Sequence, residues 1–324
     1  MSSTKNILVY PSNNCSFDIK CGGIVCSFLL AKYLDELNIN VRIYNVNKTQ
    51  NAIFNKNYNN DLDLNKTIVI YGETIIGNPL NAKYVVRWIL GPHYNNEHIL
   101  SWGKNDLVYY FNAETKFSVY PNKIGNIYKL LSCIYIPPEC INLNLQRNNH
   151  YCYTMRKKHI FHKKIILPPA NSFKINDALT PIDSIPIFNK YTYFISYDPL
   201  TFFSIIAALC GCISIIYPIE GVNETQWLNM TAVASYTKYK NINKLYGIAY
   251  GVENIPFALQ TMHLIKDQWI DIQHFVKEKT LIPFIEDINT FSGLPNIVKN
   301  NFPILPHPFK KTAHYKMGSF TFNK

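Results

Sequence analysis

The sequence lacks an apolar stretch long enough to cross a membrane. A transmembrane helix needs about 20 consecutive apolar residues, whereas the longest apolar region, residues 200–216, is interrupted by Thr201, Ser204 and Gly211. That region is better interpreted as a buried helix that runs into a buried strand. The N-terminal residues contain no apolar segment followed by a cleavage site, so no signal peptide is expected. We therefore expect a cytoplasmic protein.

Glycine and proline are sparse, with 13 and 18 residues in a chain of 324, which excludes fibrous and low-complexity proteins. Only 16% of the residues are charged and 48% are hydrophobic, which excludes disorder for most of the chain. The length fits two domains of roughly 150 residues, each able to bury its own core. The composition predicts a two-domain globular protein.

The eight cysteines form no CxxC pair and no Cys/His zinc spacing. A chain of this size does not need a disulfide scaffold to fold. We interpret the cysteines as buried free thiols in a reducing compartment.

Acidic residues are few relative to basic ones, 21 against 32, which gives a net charge of +11. The basic residues cluster at 157–164 and at Lys310, Lys311 and Lys316, and neither cluster lies in a recognisable DNA or RNA module. A basic surface also suits the phosphates of a nucleotide sugar or an anionic membrane. For each cluster the simpler alternative is a set of solvated lysines. No nucleic-acid partner is expected.

Several catalytic motifs are missing. The sequence contains no GxGxxG, GxxxxGK[ST], GxSxG or HExxH string, which argues against dehydrogenases, P-loop kinases, serine hydrolases and zinc proteases of those classes. The one DxD-like string, Asp61-Leu-Asp63, lies in an Asn-rich loop and is interpreted as chance. No metal site is expected.

The first half of the chain alternates strand and helix patterns. Apolar runs predict strands at 6–10, 41–44, 67–71, 106–111 and 130–136, helical spacing predicts helices at 24–38 and 80–90, and the polar stretch 45–65 predicts a surface loop. This alternation is typical of βαβ units with a parallel sheet. In such sheets ligands bind at the carboxyl ends of the strands.

A second α/β unit follows a linker predicted at 137–150. The patterns predict strands at 151–155, 191–196 and 212–217, a helix at 201–209, one long amphipathic helix at 255–279 and irregular chain after Pro283. The expected fold class is α/β, with two Rossmann-like domains facing a cleft. The expected domains are 1–148, 149–285 and a segment, 286–324, that packs back towards the first domain.

The segment 191–218 carries the clearest local signals. A strand ends at Ser196, a turn holds Asp198-Pro199, and a helix opens near Thr201. Helix N-termini present free N–H groups to phosphates; the alternative is that Asp198 or Thr201 simply caps the helix. Gly211 suits the left-handed residue that ends it.

This segment resembles the donor-binding segment of GT-B glycosyltransferases, in which an acidic residue opens a helix ending in Ala-x-x-x-Gly before an apolar strand. Retaining members carry two glutamates separated by seven residues. Here Asp198 stands at the first position and Ile206 at the second. The second glutamate usually contacts the nucleotide ribose, so ribose recognition in this chain must come from elsewhere.

Other segments strengthen the resemblance. The run 71–90 is similar to a signature of bacterial polysaccharide-type glycosyltransferases, with Gly72 in place of the usual proline. The matching residues are Glu73, Gly77, Asn78, Pro79, Leu80, Arg87 and Trp88. Residues 6–24 resemble the first strand and glycine loop of the acceptor domain. The segments 155–157 and 246–251 resemble donor-domain elements.

The resemblance implies a hexosyltransferase-type enzyme of polysaccharide biosynthesis. It would move a sugar from a nucleotide-sugar donor to a glycan or lipid-linked acceptor without a metal or cofactor, with contact to a membrane surface if the acceptor is a lipid. Fixed charges and helix dipoles can stabilise the leaving diphosphate. The donor-site candidates are Arg156, Lys157, Asp198, Thr201, Glu220 and Glu224, with Lys163 and Lys164 as weaker ones. Either glutamate could replace the one missing at Ile206.

The first domain supplies the candidates for catalysis and acceptor binding. Glu73, directly after a buried strand, could be the general base, or it could pair with Arg87 and shape the loop. Asn78 could bind the acceptor or fix that loop. Asp18 is a second candidate base.

The first domain also contains a pair of glycines and a histidine near the predicted site. Gly22 and Gly23 would admit close approach of a sugar or phosphate. His93 is interpreted as a loop histidine.

Two alternatives stay open. A nucleotide-sugar epimerase could share the architecture, but the chain has no clear histidine-plus-acid constellation. A non-catalytic protein that binds a nucleotide sugar or nucleic acid would explain the apolar residue at Ile206.

Overall fold

The computed structural model describes residues 6–11, 16–45, 47, 51, 53–91, 96–112, 128–157, 161–164 and 166–290. Within these residues the chain forms two compact units. Unit 1 comprises residues 6–135 and 274–290, and unit 2 comprises residues 136–273. The domain boundaries expected after residues 148 and 285 stay predictions.

Unit 1 is built on a parallel sheet. Its strands are β1 (Asn6–Tyr10), β2 (Val41–Ile43), β3 (Thr67–Gly72), β4 (Tyr84–Ile89), β5 (Leu107–Tyr110) and β6 (Tyr128–Leu130). They lie in the order β2-β1-β3-β4-β5-β6, and each neighbouring pair is parallel. Every residue of β3 is buried, as expected for a strand inside a parallel sheet covered on both faces.

Parallel neighbours need a crossover connection, and helix α1 (Gly22–Glu36) supplies it between β1 and β2. Its side chains from Ile24 to Ala31 are buried, as is Leu34. A short helix, α2 (Asn96–Leu100), precedes β5. The predicted strands at 6–10, 41–44, 67–71 and 106–111 are confirmed, each within one residue at either end.

Two predictions in unit 1 are wrong. The helix expected at 80–90 is replaced by strand β4 (Tyr84–Ile89), whose residues Val85–Ile89 lie buried between β3 and β5. The strand expected at 130–136 does not form. Strand β6 ends at Leu130, the last residue that pairs with β5. Leu131, Cys133 and Ile134 are buried without belonging to a strand.

Unit 2 has a second parallel sheet. Its strands are β7 (Asn148–Thr154), β8 (Phe173–Lys174), β9 (Tyr191–Ser196), β10 (Ile213–Ile216) and β11 (Ile248–Tyr250). They lie in the order β11-β10-β9-β7-β8, and each neighbouring pair is parallel. The predicted α/β class with two Rossmann-like units is therefore confirmed.

Short helices connect the strands of unit 2, namely α3 (Ile185–Lys190), α4 (Phe203–Leu209), α5 (Glu224–Leu228) and α6 (Ala234–Lys240). Two more helices, α7 (Ile255–Thr261) and α8 (Ile265–Val276), follow the last strand. The predicted helix at 201–209 is confirmed as α4, and Gly211 ends it in the left-handed region with φ 84°. No helix in the described ranges has the length and hydropathy needed to span a bilayer.

The single long helix expected at 255–279 is wrong. A 3-10 turn (Met262–Leu264) separates α7 from α8, and a π-helical turn (Lys277–Leu281) follows α8. The hydroxyl of Thr261 donates to the carbonyl of Phe257, a back-bond that bends helices. The same oxygen accepts the backbone N–H of Gly247, 3.1 Å away.

The irregular chain expected after Pro283 is wrong for residues 284–290, which belong to helix α9 (Ile282–Thr290), and the rest of that prediction lies outside the described residues. Pro283 is the second residue of α9, which continues directly from the π-helical turn. The Asp287 carboxylate of α9 accepts hydrogen bonds from the Tyr109 hydroxyl (2.8 Å) and the Lys129 ammonium (2.6 Å). These contacts fix α9 on unit 1.

The seven cysteines in the described part of the chain are free thiols. All of them except the partly exposed Cys21 are buried. The interpretation of the cysteines as buried thiols holds for these residues.

A buried ion pair fixes the loop after β3. Arg87, in β4, is fully buried, and its Nε lies 2.7 Å from the Asp106 carboxylate. The guanidinium also donates to the carbonyl oxygens of Ile75 and Gly77 and lies 4.9 Å from the Tyr71 ring. Arg87 therefore ties the loop 73–79 to the sheet.

We expect Arg87→Ala to lower the free energy of unfolding by about 3–5 kcal/mol, because it leaves the Asp106 carboxylate buried without its cation. Urea unfolding of the full chain measures the loss. The double variant Arg87→Met/Asp106→Leu should recover much of it, since no charge remains buried. A change below about 1 kcal/mol in Arg87→Ala would contradict the structural role of the pair.

Candidate functional site

In each sheet the order in which successive strands are added reverses at one point. In unit 2 the chain leaves β7 towards β8 and then returns to β9 on the other side of β7, so β7 and β9 flank a topological switch point. Ligands of parallel α/β sheets bind outside the carboxyl ends of the strands at such points. Thr154 and Ser196 pair in register at these ends.

Arg156 and Lys157 follow β7 at this edge. The backbone N–H of Arg156 donates to the Thr154 hydroxyl, 3.4 Å away, and its guanidinium carbon lies 5.2 Å from the centre of the Phe203 ring. Lys157 is exposed and has φ 51°, in the left-handed region. The backbone therefore turns at Lys157, and two cationic side chains directly follow β7 at the switch point.

Asp198 follows β9 on the other side of the switch point and is only 4% exposed. Its Oδ1 accepts the backbone N–H of Leu200 at 3.1 Å. Burial raises the pKa of the Asp198 carboxyl above its ordinary value, and the positive charges of Lys157 and Arg156 oppose that shift. The carboxylate and both cations therefore belong to one electrostatic group.

Asp198 and Thr201 were the candidate caps of α4, but neither is its N-cap. The N-cap of α4 is Phe202. Asp198 shapes the turn through Leu200. The Thr201 hydroxyl accepts the N–H of Phe203 at 3.3 Å. Both side chains therefore organise the turn that leads into α4.

Ile206, at the position of the second glutamate in the resembling pattern, is 2% exposed. It packs in a core cluster with Phe203, Ala207 and Cys210. A carboxylate there would be buried in an apolar core, and burial of an unpaired charge would lower the stability of the fold. The departure from the pattern therefore has a packing reason.

Glu220 and Glu224 follow β10 at the same edge. Glu220 is exposed in a turn. Glu224 is the first residue of α5, and its Oε2 lies 3.4 Å from the Lys244 ammonium. Burial raises the pKa of Glu224, and Lys244 opposes that shift.

His162 and Ile166 are hydrogen-bonded to the residues that directly follow β9 and β10. His162 Nε2 lies 3.0 Å from the Tyr197 carbonyl oxygen, and the Tyr197 hydroxyl donates to the carbonyl of Ile166. The N–H of Ile166 donates in turn to the Tyr217 hydroxyl. These bonds hold the residues on either side of the exposed Lys163 and Lys164 at the carboxyl ends of β9 and β10.

In unit 1 the switch point lies between β1 and β3, and Glu73 directly follows β3. Glu73 is 8% exposed, and its Oε2 accepts the backbone N–H of Leu90 at 3.1 Å. Its carboxylate therefore lies at the carboxyl ends of β3 and β4. The roles suggested for Glu73 stay predictions.

The ion pair expected between Glu73 and Arg87 was the alternative to a catalytic Glu73. Arg87 pairs instead with Asp106. Asn78 accepts hydrogen bonds from the Tyr71 hydroxyl (2.9 Å) and the N–H of Ala82 (3.0 Å), and it donates to the carbonyl of Ala82. These bonds close the loop before β4.

The other candidates of unit 1 surround the start of α1. Gly22 and Gly23 are its first two residues, and Gly23 lies against Leu90. Asp18 is exposed and accepts the N–H of Lys20 at 2.9 Å. His93 and the lysines at 310, 311 and 316 lie outside the described residues.

The two aspartates of the DxD-like string make local contacts. Asp61 pairs with Arg42 at 2.8 Å, and Asp63 accepts the N–H of Asn65 at 3.0 Å. Across the described residues no three acidic, histidine or cysteine side chains converge as a metal site would require.

Sequence reasoning missed several residues of the switch point in unit 2. Thr154 and Ser196 carry no motif, and only their position as the last residues of two strands could have identified them. Phe203 resembles any other core aromatic. Lys244 lies 20 residues after Glu224, in a different loop, so no local signal links the two.

No protein-family model matches this chain, and no curated protein matches it. Several solved structures do. One is a T4 phage BGT variant in complex with UDP-glucose, which is 13% identical over 87% of this chain and 96% of that chain, with a TM-score of 0.44. Another, an alpha-glucosyltransferase in complex with UDP and a 13-mer DNA, is 10% identical over 89% and 100%, with a TM-score of 0.46.

A third, described as the DNA-modifying enzyme beta-glucosyltransferase, is 13% identical over 87% of this chain and 95% of that chain, with a TM-score of 0.42. These neighbours are GT-B fold glycosyltransferases. TM-scores below 0.5 are too low to carry an argument about this chain, whose fold class rests on its own strand orders.

We expect Asp198→Asn to raise the melting temperature at pH 7.5 and to have a smaller effect at pH 4. The raised pKa means that ionised Asp198 costs stability, and this cost disappears as the pH falls towards the unfolded-state pKa of about 3.9. Asparagine keeps the oxygen that accepts the N–H of Leu200. Thermal unfolding of the full chain at the two pH values measures the effect.

The exposed carboxylate variant Glu286→Gln serves as the control in the same buffers. If Asp198→Asn instead lowers the melting temperature more at pH 7.5 than at pH 4, attraction to Arg156 and Lys157 outweighs burial. That outcome would overturn the sign of the prediction.

Proposed function

We propose that this chain is a nucleotide-sugar-dependent glycosyltransferase that binds its donor at the carboxyl edge of unit 2. The observation that carries the proposal is the switch point between β7 and β9. It has Arg156 and Lys157 on one side and the buried carboxylate of Asp198 on the other. A buried acid beside cations at a ligand-binding edge is typical of functional sites.

The diphosphate of the donor would lie against the cations. Arg156 and Lys157 would contact it directly, because guanidinium and ammonium groups form strong charge-assisted hydrogen bonds with phosphate oxygens. Lys163 and Lys164 add positive charge at the same edge. Thr201, in the turn before α4, offers a hydroxyl. In this proposal side-chain charge stabilises the leaving group and no metal is used.

The ribose would lie towards β10. Glu220 and Glu224 follow that strand, and carboxylates readily accept hydrogen bonds from sugar hydroxyls. Lys244 holds one oxygen of Glu224, which fixes the orientation of the carboxylate. This arrangement would supply the ribose contact that Ile206 cannot make.

Unit 1 would hold the acceptor and, for an inverting reaction, the general base. Glu73 is the first candidate because it lies at the carboxyl end of β3, beside the switch point of that sheet. Asp18, in the loop before Gly22 and Gly23, is the second. Asn78 would act by holding the loop in shape, because the oxygen and the nitrogen of its side-chain amide both form hydrogen bonds there.

The acceptor class is the most open part of the proposal. A glycan or lipid-linked acceptor follows from the resemblance to polysaccharide-type enzymes, whose donors are commonly hexoses. The net charge of +11 also suits a DNA acceptor, and one solved neighbour is a complex with DNA. Transfer assays with oligosaccharides, lipid vesicles and DNA would separate these classes, whereas an epimerase would convert the sugar with no acceptor present.

The first experiment is a thermal-shift panel with UDP, GDP, CMP, dTDP and their common sugars, with magnesium or with EDTA. Ligand at a hundredfold excess over Kd stabilises the native state by about 2.7 kcal/mol. We expect one base to raise the melting temperature equally with and without magnesium. The absence of any shift would favour a non-catalytic protein.

The matched variants are Arg156→Ala and Lys190→Ala. We expect Arg156→Ala to weaken binding of the preferred nucleotide about tenfold or more, the value of a lost charge-assisted bond. Lys190 is an exposed cation that immediately precedes β9, at the opposite edge of the sheet, so its variant should bind normally. Equal effects of both variants would reject the site.

We expect Glu73→Gln to lower the rate of nucleoside diphosphate release from the donor by about 10²- to 10⁴-fold, the usual contribution of a general base. Donor affinity should not change, because Glu73 belongs to unit 1. Asp18→Asn should keep the rate within a few-fold. The reverse pattern would assign the base to Asp18.

A further inference from the structure

The first residue of α4 forms a surface beneath Arg156. The guanidinium carbon of Arg156 lies 5.2 Å from the centre of the Phe203 ring, within the range of a cation–π contact. Phe203 is buried, with 3% exposure, whereas Arg156 is only partly buried. The ring therefore has a fixed position, whereas the partly buried guanidinium can change its orientation.

The Phe203 ring is held by the core of unit 2. It packs edge-on against Phe188 at a centroid distance of 6.2 Å, and Phe188 packs against Phe194 at 5.0 Å. Ile206, one turn further along α4, lies in the same buried cluster. A close-packed cluster leaves the ring little freedom to change its orientation.

Arg156 has a long, flexible side chain, and the Thr154 hydroxyl holds its backbone N–H. Stacking on a ring uses the flat face of a guanidinium and leaves the N–H groups at its edge available. Those groups can then form the paired hydrogen bonds that phosphate oxygens accept. Stacking thus turns a flexible cation into one with a defined orientation.

We propose that Phe203 is a positioning residue, which holds the guanidinium of Arg156 at the switch point in the orientation that binds the donor diphosphate. This inference rests on the proposed function. It adds that the affinity of the site for diphosphate depends on an aromatic ring that does not itself contact the ligand.

The test compares Phe203→Leu with Phe194→Leu by calorimetric titration of the full chain with UDP and with inorganic pyrophosphate. Both variants remove a buried ring from the same cluster, but only Phe203 contacts Arg156. We expect Phe203→Leu to raise the Kd for both probes about three- to tenfold. Phe194→Leu should leave each Kd within about twofold despite a similar fall in melting temperature.

Two further variants separate positioning from packing. Phe203→Tyr keeps the ring and should restore affinity to within about twofold of the parent chain. Phe203→Leu added to Arg156→Ala should weaken binding no further, because the stacked cation is already gone. A further loss in that double variant, or equal losses in Phe203→Leu and Phe194→Leu, would overturn the positioning role.

Failure of the inference and failure of the proposed function give different results. If Arg156→Ala weakens binding and Phe203→Leu does not, Arg156 binds the donor without help from the ring and only the inference is overturned. If Arg156→Ala itself leaves both Kd values unchanged, the donor contact is wrong and the inference is overturned with it.

Discussion

Parallel pairing of strands on either side of a switch point is the constraint on which the rest of this structure depends. In unit 2 the pairing of Thr154 with Ser196 brings the ends of β7 and β9 together. Arg156 and Asp198, 42 positions apart in the sequence, become neighbours only because of it. Unit 1 repeats the arrangement, with Tyr10 paired to Tyr71 just before Glu73. Strand pairing thus brings these candidate residues to one edge of each sheet, and their side-chain contacts then orient them.

Two buried acids lie beside arginines in the described part of the chain, and they differ in what surrounds them. Asp106 and Arg87 form a close pair whose guanidinium also bonds loop carbonyls, an arrangement that is complete within the protein. Asp198 lies near Arg156 and Lys157, and Lys157 is exposed to solvent. A desolvated carboxylate lowers the stability of the fold. Such a carboxylate beside accessible cations is typical of a site that binds a ligand. This contrast separates a structural ion pair from a candidate binding site.

Local signals predicted much of the fold, and contacts between distant residues explain what they missed. Strand β9, helix α4 and the left-handed Gly211 followed from apolar runs and one glycine, all within a single segment. Strand β4 was mistaken for a helix because its central place in the sheet is set by β3 and β5. The candidate site shows the same limit: Asp198 was visible from its turn, but its closeness to Arg156 and the support from Phe203 depend on the fold.

Hydrogen exchange measured by mass spectrometry, with and without the preferred nucleoside diphosphate, tests the donor site most directly. Ligand bound at the switch point should slow amide exchange in residues 154–157 and 196–203. It should leave residues 185–191, which lead into β9 at the opposite edge of the sheet, unchanged. Slowing confined to unit 1, or to residues 185–191, would contradict a donor site at the carboxyl ends of β7 and β9.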